Sequence, residues 1–567
     1  MGKKLGKLYQ EAELHFQNKK WGEVIDVCTA IIRLEKNPDL RKARVYKYRG
    51  RAYYAKGDYN QAIADYDEAI KLNPQYAAAY RRRGRAYYAK GDYDQAIADW
   101  DEAIALNPHD AAAYRRRGFA YYAKRDYDRV IESCDEAIAL NPHDAAAYST
   151  RGLAYLYKGD HDRAIADYDK AIALKPHDAA AHGNRGLACS FKKDYASAFD
   201  SFLKAGRYDK RLKSNEVLIY IASSLEGITS DREERARLFK LYWALAEAIY
   251  EISTKLFYNF KDDRGVAHYT SLRGLRALAK RGNPFRLYNS AYMNDPEEGQ
   301  VFFEIMKKVM KKEDDIDVEK TFYKHDSSKD PHSSPAYIGS FVKIKSQNDQ
   351  EKDKAKDKLF LWRTYGKHNN EEAGGACLIF NKDQFAQDVP PMTIGSMSQL
   401  EYVAEQGEPT SQNDPPALYR VIYKSEIGKR ESDKHSKLLE EHLEKLASSL
   451  KDINELLEHH DEEHKKTLVR LVRELLDGIR FLFKEDHYRE EREVRVIQMA
   501  YDTDGHPPPG RKVAMKPLPP RFYLEVPGNF RFNEVILGPK AGNESEWKQW
   551  MSEKNGIKVE KSKIPFR

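Results

Sequence analysis

Three rows of side chains recur at an interval of 34 residues and have the types to bind charge: Lys47, Arg81 and Arg115; Arg51, Arg85 and Phe119; Tyr54, Tyr88 and Tyr122. A guanidinium fork meets a carboxylate at two points, and a tyrosine ring offers a flat face and a hydroxyl. Such rows suit capture of an anionic partner more than bond making. Two other constellations are less directed. His460 and His464, four apart on one helical face, have metal-ligand spacing, but Asp461, Glu462 and Glu463 between them make this a solvated helix or turn, and no metal site is expected. Glu491-x-Glu493-x-Arg495 reads as the charged face of a strand. The chain has neither a Gly-x-x-x-x-Gly-Lys phosphate loop nor a His-Glu-x-x-His zinc helix.

The elements that position the Arg and Tyr rows follow from the same interval. Pro74, Pro108, Pro142 and Pro176 are 34 apart, as are Gly50, Gly84, Gly118, Gly152 and Gly186. Within Gln75 to Pro108 two runs of helical periodicity are divided by Lys90-Gly91-Asp92 and closed by Asn107-Pro108, which predicts helix, tight turn, helix, turn. One such pair cannot bury its apolar face alone, so the units must stack.

With Tyr46, Gly50, Tyr53, Ala62, Tyr66, Ala69 and Pro74 in place, and two further units matching equally well, the array resembles the tetratricopeptide repeat family. The resemblance implies an α-solenoid whose first helices line a concave groove, with Lys47, Arg51, Tyr54, Arg81, Arg85, Tyr88, Arg115, Phe119 and Tyr122 facing a partner. Residues 1–40 read as a divergent first repeat or cap, 41–210 as the solenoid, and 211–262 as two more helices that cap or link.

Over residues 41–176 there are 24 basic and 20 acidic residues, so which face carries them matters more than their sum. Acids favour the second helices (Asp65, Asp67, Glu68), leaving the groove for an acidic peptide or a chain's terminal carboxylate. Pairing of these arginines with acids of neighbouring helices is the competing expectation. Nucleic acid ranks below a protein partner, because no basic run lacks nearby acids and a net charge of +7 over 567 residues is mild.

Four dispersed cysteines, Cys28, Cys134, Cys189 and Cys377, sit in apolar contexts and predict reduced thiols in a cytoplasmic protein. Neither a signal peptide nor a membrane span is legible, and Gly6 spoils a myristoylation reading of Gly2.

After about Gly265 short strands alternate with helices, which predicts an α+β domain over 263–567 with charged loops at 311–358 and a helical insertion at 432–484. Strands are expected at 285–290, 336–341, 376–380, 419–423, 490–497 and 534–539, the last of them at the end of the domain. The blocks His268-Tyr269-Thr270-Ser271, Asn294-Asp295-Pro296-Glu297-Glu298-Gly299, Trp362-Arg363-Thr364-Tyr365-Gly366, Glu491-x-Glu493-x-Arg495 and Val535-Ile536-Leu537-Gly538-Pro539 resemble a bacterial family of unknown function.

A strand with His, a second with Tyr and a late one with Glu also resemble ADP-ribosyltransferases of the His-Tyr-Glu type. That resemblance implies that His268 holds the nicotinamide ribose, Tyr288 packs on nicotinamide, Glu491 or Glu493 faces the developing cation, and Arg286 or Arg495 clamps the pyrophosphate. It makes NAD a substrate, with no cofactor required. The sequence thus points to a bacterial effector in toxin or phage defence, its array recruiting a partner for a catalytic domain. The alternative is a non-enzymatic scaffold with a second binding domain.

Overall fold

Aspartates set at the repeat interval start the helices of the N-terminal half. Asp58, Asp92, Asp126 and Asp160 accept backbone N–H bonds from Gln61, Gln95, Arg129 and Arg163, and Asp110 and Asp144 do the same one helix earlier in their units. Each closes a first turn that would otherwise leave donors unpaired. The helices that result come in pairs: α1 (Gly2–Gln17) with α2 (Trp21–Leu34), α3 (Leu40–Ala55) with α4 (Tyr59–Leu72), α5 (Ala77–Ala89) with α6 (Tyr93–Leu106), α7 (Ala111–Ala123) with α8 (Tyr127–Leu140), α9 (Ala145–Tyr157) with α10 (His161–Leu174), and then α11 (Ala179–Phe191). This is the run of helix pairs of a repeat solenoid.

The turn inside each pair needs a left-handed residue. Gly57, Gly91 and Gly159 supply it at φ 79°, 83° and 78°, whereas Arg125 and Lys193 hold the same position at φ 60° and 65°. Packing within a pair turns on small residues. A Cβ on Gly84 would stand 3.1 Å from the Ala96 carbonyl oxygen, so α5 and α6 approach closely only because that residue is glycine. Ala62 is buried with Tyr66 and Ala96 with Trp100; Tyr66, Trp100 and the buried Tyr168 occupy one repeat position.

The computed structural model describes residues 2–35, 40–209, 217–257, 263–270, 286–289, 300–310, 316–323, 336–345, 376–381, 418–423, 434–480, 482–484, 493–499, 512–514, 521–525, 534–537 and 558–561, with single positions 427 and 545. Met1–Lys193 forms the body of one compact unit, and a second runs from Asp194. The boundary falls inside the sixth helix pair, after α11.

The second unit holds α12 (Tyr195–Tyr208), α13 (Val217–Leu225), α14 (Arg232–Leu256), α15 (Gln300–Val309), α16 (Val318–Phe322), α17 (Lys434–Leu457) and α18 (Glu462–Arg480). The stretch read as a cap and the stretch read as an insertion pack together: α14 lies against α17 and α18, and α13 against α18. Tyr242 donates to the Leu468 carbonyl at 2.7 Å, and Lys445 reaches Glu251 at 3.0 Å. Leu443, Leu446, Leu450 and Ile453 on α17 and Leu468, Leu471 and Val472 on α18 are buried in that bundle.

Its strands are β1 (Asp263–Thr270), β2 (Arg286–Asn289), β3 (Ala336–Lys345), β4 (Ala376–Asn381), β5 (Leu418–Arg420), β6 (Ile422–Tyr423), β7 (Phe483–Lys484), β8 (Glu493–Met499), β9 (Lys512–Ala514), β10 (Arg521–Glu525), β11 (Glu534–Leu537) and β12 (Lys558–Lys561). The sheet runs β12-β11-β4-β1-β3-β2-β10-β9, with β8 on β3 and β5 on β8; β6 pairs β7 separately. Four strands depart from the expectation: β7 falls within the stretch 432–484 expected as helical, β9 and β10 precede β11, and β12 follows it parallel at one edge of the sheet. The expected helix through Leu275 and Leu278 lies outside the described residues.

Candidate functional site

One arginine row is structural. Arg49 grips Asp65 with Nε and Nη2 at 2.9 and 2.6 Å; Arg83 grips Asp99 at the same two distances and adds Asp67 at 2.6 Å. Arg151 repeats this with Asp167 and Asp135. Each fork therefore ties a first helix to the second helix of its own unit. The Arg83 and Arg151 forks also reach the second helix of the unit before. Opposed carboxylates hold Arg83 and Arg151 well above the ordinary guanidinium range.

The positions expected to line a groove lie on first helices that touch one another along the array, α3 to α5, α5 to α7 and α7 to α9. They divide into ties between neighbouring first helices and cations held over aromatic rings. Arg81 reaches Asp110 at 3.4 Å, and Arg115 donates to Asp144 at 2.8 Å, so each links a first helix to the cap of the next. Phe119 is 1% exposed beneath the Arg115 guanidinium, which makes it core. Tyr54, Tyr88 and Tyr122 lean on Tyr59, Tyr93 and Tyr127 of the paired second helices, with ring centroids 5.3, 5.4 and 6.1 Å apart.

A different set remains cationic. Lys47 lies over the rings of Tyr48 and Tyr76 at 5.0 and 5.2 Å, Arg51 over Phe16 at 4.5 Å, and Arg85 over Tyr54 at 4.7 Å while donating to its hydroxyl at 3.0 Å. Burial pushes Lys47 down to about 8, helped by Arg82, Arg44 and Arg51 and opposed by Glu13. Burial also lowers Arg82 to about 10, with Arg51, Arg81 and Arg85 adding repulsion and the Tyr66 hydroxyl opposing it.

Arg82 is the member that spacing does not single out. Its row is Tyr48, Arg82, Arg116, Thr150, Asn184, which changes residue type along the array. In the fourth and fifth units the equivalent positions are Ser149, Thr150, Leu153, Leu156, Asn184 and Leu187, all buried and uncharged. The positive face is confined to the first units.

In the second unit the sheet gives backbone placements for the other candidates. His268 is in β1, Arg286 and Tyr288 in β2, and Glu493 and Arg495 in β8; Glu491 lies outside the described residues. All three strands pair with β3. Ala267 and Glu493 are register partners of Val342 from its two sides, Arg495 pairs with Ser340, and Tyr288 with Ile338. Tyr288, Glu493 and Arg495 thus share one register parity, and His268, next to Ala267, has the other. The His268 register row continues through Leu378, Val535 and Val559, which are buried.

His464 pairs with Asp461 at 2.7 Å, and His460 meets the Leu456 carbonyl at 3.2 Å. Among the described residues no group of three or more His, Cys, Asp or Glu could hold a metal, and none of the described helices is long and apolar enough to cross a membrane. Cys28, Cys134 and Cys189 are buried free thiols.

Models of the tetratricopeptide repeat match residues 50–91, 84–124, 111–144 and 145–178, and the family described as a protein of unknown function, DUF2971, matches 361–496. The N-terminal region is therefore an array of tetratricopeptide repeats, and a DUF2971 domain lies C-terminal to it. Similar solved structures include MamA, 31% identical, at a TM-score of 0.27, covering 29% of this chain and 95% of that one. YrrB, described as a TPR protein with an unusual peptide-binding site, is 22% identical at 0.28, covering 32% and 92%. The C-terminal part of a TPR repeat-containing protein from Cytophaga hutchinsonii is 18% identical at 0.35, covering 42% and 92%. No curated protein matches the chain.

Proposed function

We propose that the repeat array captures an acidic segment of a protein partner on the first-helix face of its early units, and presents it to the DUF2971 domain. One observation carries this reading: Lys47 and Arg51 on α3, and Arg85 beside Arg82 on the adjoining α5, are held over aromatic rings, and burial and mutual repulsion lower Lys47, Arg51 and Arg82, with Glu13 opposing at Lys47. An anionic ligand relieves that repulsion. The test is fluorescence anisotropy of acidic and neutral peptides on the full chain and on an Arg51→Glu, Arg85→Glu variant. Acidic peptides bind the natural chain and are lost from the variant; equal binding of neutral peptides overturns the reading.

For the second domain the proposal is NAD-consuming ADP-ribosyl transfer inside a bacterial cell, in toxin or phage defence. What supports it is that β2 and β8 both pair with β3 and that Tyr288, Glu493 and Arg495 share one register parity there, although His268, on β1, has the other. The full chain is mixed with NAD, candidate partner proteins and nucleic acids, and free nicotinamide is measured. Release that Glu493→Gln abolishes supports catalysis. No release under any of these conditions makes the domain a binding module.

A further inference from the structure

We propose that the anchoring subsite of this face takes a phosphate monoester, so that the partner is a phosphorylated acidic peptide; this rests on the capture reading above. The subsite lies between α3, which contributes Lys47 and Arg51, and α5, which contributes Arg82 and Arg85.

Charge counting carries the argument. Elsewhere in the array arginines have acidic partners built in: Asp65 for Arg49, Asp99 and Asp67 for Arg83, Asp167 and Asp135 for Arg151, Asp144 for Arg115. Among the described residues no carboxylate pairs with Lys47, Arg51 or Arg82. Glu13, the acid that faces Lys47, already accepts from the Tyr48 hydroxyl at 3.0 Å. One carboxylate from a ligand would leave most of this charge uncompensated. A phosphate monoester brings roughly two charges and three acceptor oxygens to one point.

The cations are also held in place. Phe16, Tyr48, Tyr76 and Tyr54 support Arg51, Lys47 and Arg85 from below, which lowers the ordering cost of binding. Position explains why the subsite occurs once. Arg51 and Arg85 become Phe119, Leu153 and Leu187 in later units, and the Arg82 row, after Arg116, becomes Thr150 and Asn184.

The experiment measures binding to the full chain of a glutamate-rich peptide carrying one phosphoserine, and of the same peptide with serine or glutamate at that position. Inorganic phosphate and a single-stranded RNA serve as competitors. The phosphoserine peptide binds about tenfold or more tightly than the glutamate peptide, and inorganic phosphate displaces it. Arg82→Met removes the difference while leaving thermal stability unchanged or raised, because a buried guanidinium without a carboxylate is costly to the fold. Arg51→Met, at a less enclosed position, removes it too.

Equal binding of the phosphoserine and glutamate peptides overturns the phosphate assignment and leaves capture of acidic peptides standing; failure of every peptide overturns both. Stronger displacement by RNA than by phosphate, or an Arg82→Met protein that is destabilised yet keeps its preference, also overturns the assignment.

Discussion

Arg83 and Asp99 form a two-point ion pair, Nε to Oδ2 at 2.9 Å and Nη2 to Oδ1 at 2.6 Å, in which the carboxylate is 5% exposed. Burial alone pushes Asp99 upward, and the guanidinium opposes that push. Removing one partner therefore strands the other. Arg83→Met is expected to destabilise the array by about 2–3 kcal/mol, and the double variant Arg83→Met, Asp99→Leu to recover most of the loss. Urea unfolding of the four proteins of the cycle checks this; additive losses would mean the pair is not coupled.

The inter-helix turn of the third unit lacks a glycine. Arg125 sits at φ 60°, where Gly57, Gly91 and Gly159 sit in three other units; Lys193, at φ 65°, replaces glycine in the fifth. A side chain there costs about 1–2 kcal/mol, partly offset because glycine loses more freedom on folding. Arg125→Gly is expected to stabilise the array by about 0.5–1 kcal/mol. A thermal midpoint that falls would show that contacts of the Arg125 side chain outweigh the strain.

Much of the array is legible because its determinants are local and repeat. Asp58, Asp92 and Asp126 precede apolar runs, Gly84 marks a close approach, and the 34-residue interval aligns them. What escapes reading are relations between distant segments. Tyr220 and Glu474 meet, but nothing in either neighbourhood specifies the other. The same holds for the sheet. Strands at 336–345 and 493–499 are visible by β-branched content, whereas the pairing of Val342 with both Ala267 and Glu493 depends on the whole sheet. In the groove, spacing finds Arg81 and Arg115 yet cannot say that each is already occupied by the next unit's capping aspartate.

That occupancy changes what those two arginines can test. Arg115 is 7% exposed and donates to Asp144, which also caps α9 through the Ala146 and Ala147 amides. Arg115→Glu would set two carboxylates together in a nearly closed site. A loss of about 3 kcal/mol or more is expected, whatever happens to ligand binding. Arg85→Glu, at a partly exposed position where Arg85 stacks on Tyr54 and donates to its hydroxyl at 3.0 Å, is expected to destabilise the fold less than Arg115→Glu and to act chiefly on binding. Circular-dichroism melts of both variants distinguish the roles; comparable melts would mean that the Arg115–Asp144 pair is not a structural tie.

The pH response of the helical bundle in the second unit should centre on Glu474. Burial raises its carboxyl from 4.5 to about 7, against the Tyr220 hydroxyl, Arg470 and Arg473, which pull it down. Because the folded value lies above the unfolded one, the folded chain keeps a proton that the unfolded chain releases. Below pH about 4.5 the group is protonated in both states and costs nothing; as pH rises towards 7 stability is lost, up to about 3 kcal/mol. Glu474→Gln, which retains a hydrogen-bond partner for Tyr220 without the charge, should gain little at pH 5 and most at pH 8. Urea midpoints of the two proteins measured at both pH values decide the matter, and a difference that does not grow with pH rules out Glu474 as the titrating group.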